Sequence, residues 1–146
     1  MEQLPQGIVE VRETHGGDFE MRVRAGAHTL IADEPRALGG NDFGPGPYDL
    51  LLAALGTCTA MTLRLYARRK NLKLRDVHVR LSHERVHVED AGREPMPSLE
   101  RITRQIHLDG DLSDAEAARL MEIADRCPVH RTLSGTIKIE TTQLSV

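Results

Sequence analysis

Two cysteines, Cys58 and Cys127, are the residues of this 146-residue chain best suited to do chemistry. A thiol that ionises becomes a nucleophile toward peroxides and disulfides or a ligand for soft metals, and its pKa sets its reactivity. The two lie 69 residues apart, which excludes a Cys-x-x-Cys redox motif. A disulfide between them requires a fold that brings their Cα atoms within about 7 Å. Spacing alone leaves that open.

Cys58 sits in Leu55-Gly56-Thr57-Cys58-Thr59-Ala60, inside a long apolar run. A cysteine in such a place is ordinarily an inert core residue. Two neighbours argue for more. Gly56 costs about 1 kcal/mol relative to alanine inside a helix, which suggests the close approach of another backbone. Thr57, Thr59 and Thr62 place hydroxyls around the sulfur that a purely apolar core has no use for.

Cys127 lies in Asp125-Arg126-Cys127-Pro128-Val129-His130-Arg131. Pro128 suits the first position of a new short helix, with Cys127 as its N-cap. The sulfur would then face free backbone amides, which lowers a thiol pKa. A helix-terminating turn in which Cys127 merely packs fits the same residues. Metal binding is the rival chemistry: Cys127-x-x-His130 has ligand spacing, and Cys58 would be a third ligand. Three ligands with one from mid-helix make a weak metal signal, and His83 and His87 are too far apart on a strand to share an ion. No metal is expected.

The surrounding composition narrows the field. Nineteen Lys and Arg against 22 Asp and Glu give a formal charge of −3, with no basic stripe of the kind nucleic acid requires. The cluster Arg68, Arg69, Lys70, Lys73 and Arg75 follows a helical run, where cations complement the negative end of the dipole. The N-terminus lacks the charged and apolar regions of a signal peptide. Leu50 to Leu63 carries no charge but contains Gly56 and three threonines, and is too short to cross a bilayer. Two cysteines without an export signal point to reduced thiols in the cytoplasm.

The elements that must position these residues follow from periodicity. Residues 8–12, 19–24 and 28–32 alternate as short strands around turns at 15–18 and 25–27, an antiparallel meander. Residues 33–46 form a Gly- and Pro-rich loop. Pro47 opens a helix running to about Lys70, with Asp49 favourably placed in its first turn. Strands follow at 77–81 and 86–88, a polar hairpin loop at 89–97, and a strand at 99–108. Ser113-Asp114-Ala115-Glu116 is a capping box for a helix to about Arg126, and 135–141 reads as a closing strand. The order predicts one α+β domain over 1–146, with antiparallel sheets around a long buried helix. That helix is apolar nearly all round, which one small sheet cannot cover, so a homodimer is expected.

The stretch from Gly39 through Gly44-Pro45-Gly46-Pro47-Tyr48-Asp49 to Gly56-Thr57-Cys58-Thr59-Ala60-Met61-Thr62, together with Cys127-Pro128-Val129-His130-Arg131-Thr132-Leu133, resembles the osmotically inducible protein C / organic hydroperoxide resistance (OsmC/Ohr) family. The resemblance covers nearly the whole chain. It implies an intertwined homodimer with a long central helix from each subunit and a site at the interface. In the peroxidase members the helix cysteine attacks. Carried over, Cys58 becomes a sulfenic acid, Cys127 condenses with it to a disulfide, and an external dithiol restores both. No cofactor is required. The hydroperoxidase branch carries an Arg beside the first hairpin turn and a Glu soon after the helix-opening Pro. Here the hairpin is Gly16-Gly17-Asp18, Tyr48 follows Pro47, and Asp49 is the nearby acid. Arg22, Arg24 or an Arg from a partner chain would have to supply the activating cation. The leading expectation is thus a thiol peroxidase acting on small organic hydroperoxides, with Cys58 and Cys127 catalytic and Asp49 and Arg24 supporting. The alternative is a non-catalytic dimer holding a small apolar or thiol-bearing ligand.

Overall fold

A computed structural model describes residues 2–87 and 98–145. The chain divides into two compact units, Met1–Leu51 and Leu52–Val146.

The N-terminal unit is an antiparallel meander of β1 (Val9–Glu13), β2 (Met21–Ala25) and β3 (His28–Ala32), in the order β1-β2-β3. The β2–β3 turn is two residues long and opens on Gly26 at φ +58°, the positive φ that the first central position of a type II′ hairpin demands. The loop after β3 is organised by Asp33, which is buried. Its carboxylate accepts the amides of Glu34 at 2.8 Å, Asn41 at 3.1 Å and Phe43 at 3.2 Å. Those amides outweigh burial, which acts the other way, and hold the carboxyl below its ordinary pKa. Gly44 is required beside this loop because a Cβ there would run into the Ile31 carbonyl.

Helix α1 spans Pro47–Arg69. Proline at its first position gives up an amide that has no intrahelical partner, and Asp49 accepts the Gly46 amide at 3.0 Å. Asn71 at φ +53° ends it, with the Leu72 amide returning to the Ala67 carbonyl at 2.8 Å. The helix ends one residue short of the expected Lys70, and at 23 residues with a mean hydropathy of 1.4 over its best window it is, by length and composition alone, long and apolar enough to match a membrane span. Its C-terminal half contributes to a core: Leu63 and Ala67 are buried with Leu74, Leu120, Ile123 and Ala124 in one cluster.

The C-terminal unit sets that helix against a long antiparallel hairpin, β4 (Lys73–His87) with β5 (Ser98–Asp111). The expected strand at 77–81 and residues 86–87 of the one expected at 86–88 belong to a single strand, and residue 88 lies outside the described residues. Residues 82–85 carry no apolar alternation, but their pairing continues through charge: Glu84 meets Arg101 at 2.7 Å and Arg85 meets Glu100 at 2.8 Å. The loop expected at 89–97 lies outside the described residues.

Helix α2 (Asp114–Ala124) begins with the predicted capping box: the Ser113 hydroxyl accepts the Glu116 amide at 3.1 Å, and Glu116 accepts the Ser113 amide at 2.9 Å. Helix α3 (Pro128–Ser134) follows after a three-residue break. The closing strand expected at 135–141 is absent among the described residues. Ile137 and Ile139, 52% and 83% exposed, keep the strand alternation without a paired edge.

Candidate active site

Cys58 and Cys127 approach to 3.2 Å, both as free thiols. α1 carries Cys58 with its side chain partly exposed, whereas Cys127 is fully buried. The N-cap reading of Cys127 is the one the structure adopts. Its sulfur accepts the His130 amide at 3.3 Å, so Pro128 and the short helix do position the thiol. The His130 ring pairs outward with a carboxylate, its Nε2 lying 4.0 Å from Asp125 Oδ1. No three metal-ligating side chains converge among the described residues.

The residues around the helix cysteine divide differently from expectation. A Cβ at Gly56 would lie 2.8 Å from Leu81 Cδ1, so the close neighbour is the tip of a strand side chain rather than a backbone. Thr57 bonds its own helix, donating toward the Ala53 carbonyl at 2.8 Å. Thr62 does serve Cys58. Thr59, fully buried, serves the other cysteine, with its hydroxyl 3.9 Å from Cys127 Sγ and 2.7 Å from the Leu55 carbonyl.

These contacts separate the two thiols electrostatically. Burial pushes the Cys58 thiol up; the Val129 amide opposes this, and the adjacent Cys127 pushes it further up. Burial would raise Cys127 as well, but the His130 amide, the Cys58 thiol, the Thr59 hydroxyl and the Val129 amide together bring it below the ordinary value. Of the two thiols, Cys127 is therefore the more readily ionised.

Asp49 and Arg24 are engaged in the N-terminal unit. Asp49 holds the Gly46 amide at the helix start. Arg24 pairs with Glu10 at 3.3 Å and donates to the Glu2 carbonyl at 2.7 Å. The cation at the Cys127 side is Arg104 of β5, 2.9 Å from the Thr59 hydroxyl. In the sequence Arg104 stands as one charge among several. A signal was present: Arg104 falls in phase with Ile102, Ile106 and Leu108, on the inward face of an alternating strand.

An α+β fold that brings a mid-helix thiol against a second thiol at a helix N-cap defines a protein built around a thiol pair. The OsmC-like protein family matches residues 39–142, and the chain belongs to this OsmC/Ohr family, whose members include thiol-dependent hydroperoxide resistance proteins. No curated protein matches the chain. Among solved structures, an OsmC-like protein from Mycoplasma pneumoniae superposes with a TM-score of 0.69 at 19% identity, covering 90% of this chain and 89% of its own. An organic hydroperoxide resistance protein OsmC from Legionella pneumophila gives 0.63 at 22% identity, over 92% and 93%. The organic hydroperoxide resistance protein OhrB of Bacillus subtilis gives 0.59 at 21% identity, over 88% and 90%. At these identities the likeness establishes a shared fold.

Proposed function

We propose that this protein is a thiol-dependent peroxidase that reduces organic hydroperoxides at Cys58 and closes a Cys58–Cys127 disulfide. The 3.2 Å approach of the two thiols carries the reading. A disulfide bond is about 2.05 Å long, so the sulfurs need only a small side-chain movement to join. The hydroperoxide resistance proteins of the same fold support the substrate class.

Exposure and charge divide the labour. Cys58 is the sulfur a substrate can reach, and Cys127 is the sulfur whose ionisation its surroundings favour. As Cys58 attacks the terminal peroxide oxygen, its proton passes to the Cys127 thiolate. The O–O bond breaks, giving a Cys58 sulfenic acid and an alkoxide that regains the proton from Cys127. The Cys127 thiolate then attacks the sulfenic sulfur, forming the disulfide and expelling hydroxide. Two electrons have passed from the thiol pair to the peroxide. An external dithiol returns them by exchange through a mixed disulfide. The cytoplasm, where thiols are kept reduced, is the compartment this cycle suits.

The same reading includes a homodimer. Met61 and Leu65, one helical turn apart on α1, are 70% and 49% exposed, an apolar face that a second copy would cover.

Peroxide consumption by the purified protein with a dithiol present tests the function. Cys58→Ser should abolish it, and a Cys58→Ser protein that still consumes peroxide would overturn the reading. A ligand-binding dimer would instead show thermal stabilisation by ligand that survives Cys58→Ala.

A further inference from the structure

We propose that Arg104 is a positioning residue for the thiol pair, acting through the Thr59 hydroxyl to favour ionisation of Cys127. The geometry begins with the guanidinium. Arg104 Nη1 donates to Thr59 Oγ1 at 2.9 Å and to the Ala124 carbonyl at 3.2 Å, and Nη2 donates to Asp125 at 2.8 Å. Its side chain is only 11% exposed, while that of Asp125 is 69% exposed. Water screens the carboxylate, and among the described residues Nη1 meets only neutral acceptors. The positive field directed inward therefore lacks a buried anion until Cys127 ionises.

Thr59 transmits that field. Its hydroxyl has one proton and, beside Arg104, two acceptors within reach: the Leu55 carbonyl at 2.7 Å and Cys127 Sγ at 3.9 Å. Because Arg104 occupies the oxygen as a donor, the hydroxyl must act as a donor itself. With Cys127 neutral, the proton rests on Leu55. When the sulfur becomes anionic, the proton swings toward it, and the guanidinium behind the oxygen strengthens that bond. The Ala124 contact adds a second effect, since it ties down the backbone three residues before Cys127 and so fixes the sulfur against Cys58. The charged or titratable groups facing Cys127 are Cys58 from α1, Arg104 from β5 acting through Thr59, and Asp125 with His130 beyond them.

This inference rests on reading the cysteines as a redox pair, yet it is tested with no peroxide present. The experiment titrates Cys127 by its ultraviolet thiolate absorbance, in a Cys58→Ala background, for Thr59→Val, Thr59→Ser, Arg104→Met and the Thr59→Val/Arg104→Met double variant. Circular dichroism confirms folding. Thr59→Val should move the titration to higher pH, with a several-fold lower thiolate fraction at a fixed pH below the midpoint. Thr59→Ser, which keeps the hydroxyl, should retain the parent midpoint. Arg104→Met should shift in the same direction, and the double variant should move less than the sum, because the two groups act in series. Should Arg104→Met not fold, the Thr59→Val and Thr59→Ser pair decides alone. A Thr59→Val titration that coincides with the parent, or a double variant showing the full sum, overturns the proposal. A protein that consumes no peroxide yet shows these shifts would refute the peroxidase function and leave the role of Arg104 standing.

Discussion

At the scale of single residues, the two thiols differ in what surrounds them more than in what they are. Cys127 is buried against amides and a hydroxyl, whereas Cys58 meets few donors and the repulsion of its neighbour. If Cys127 is the base for Cys58, replacing it removes a proton acceptor as well as the resolving thiol. Cys127→Ser should slow the first oxidation of Cys58 about a hundredfold, the order expected for loss of a positioned general base, as followed by trapping the Cys58 sulfenic acid. The sign of the pH dependence follows from the two shifts. In the parent, the rate should climb with pH through the lowered Cys127 pKa and then level off. In Cys127→Ser the climb should move to higher pH, because Cys58 must then ionise against its own burial with no neighbouring thiolate to take its proton.

Much of this was legible in the sequence. Pro128 announced the N-cap, and Gly56 announced a close neighbour, though that neighbour proved to be Leu81. Arg104 was not read, because an arginine among Glu100, Arg101 and Gln105 looks like a solvated strand charge unless its phase is compared with Ile102 and Ile106. Which threonine serves which cysteine depends on α1, β5 and the approach to α3 together, and a linear reading cannot assign it.

At the scale of elements, local signals and tertiary pairing contributed unequally. The Ser113 capping box and the Pro47 helix start were visible because each depends on residues within one turn. Ser113→Ala should lower stability by about 1 kcal/mol, as read from chemical denaturation. The continuity of β4 was hidden because residues 82–85 are all polar, with Glu84 and Arg85 paired by charge across the hairpin, and lack the apolar alternation that marks a half-buried strand. The closing strand erred in the opposite sense: Ile137 and Ile139 alternate, but alternation without a sheet edge to join does not make a strand.

Asp33 supplies a pH test at this scale. Its pKa lies lower in the fold than the ordinary 3.8, so its contribution to stability is complete above that value and is lost as pH falls through the folded pKa. Asp33→Asn should lower the thermal midpoint at neutral pH. Below about pH 3.8 the gap between parent and variant should narrow, because the parent loses the charge that the variant never had.

At the scale of the whole molecule, α1 presents two kinds of apolar residue. Leu63 is fully buried, and Leu63→Ala should cost about 3 kcal/mol through lost burial and a residual cavity. Met61 and Leu65 are exposed in the single chain, so their worth depends on a partner. In the proposed homodimer, Met61→Glu with Leu65→Glu should convert the dimer to monomer in light scattering and remove the concentration dependence of the thermal midpoint. An oligomeric state indifferent to both charges would place the interface elsewhere. The homodimer was inferred from an all-round apolar helix, a pattern that shows a need for cover without identifying what provides it.

The central claim is that Cys58 and Cys127 are one redox unit, and a single measurement reaches it directly. The reduced protein is treated with a stoichiometric organic hydroperoxide, and its free thiols, intact mass and thiol-blocked peptide map are determined. The account predicts loss of both thiols, a mass lower by two hydrogens and a Cys58–Cys127 linked peptide within one chain. Two free thiols remaining beside unconsumed peroxide would contradict it.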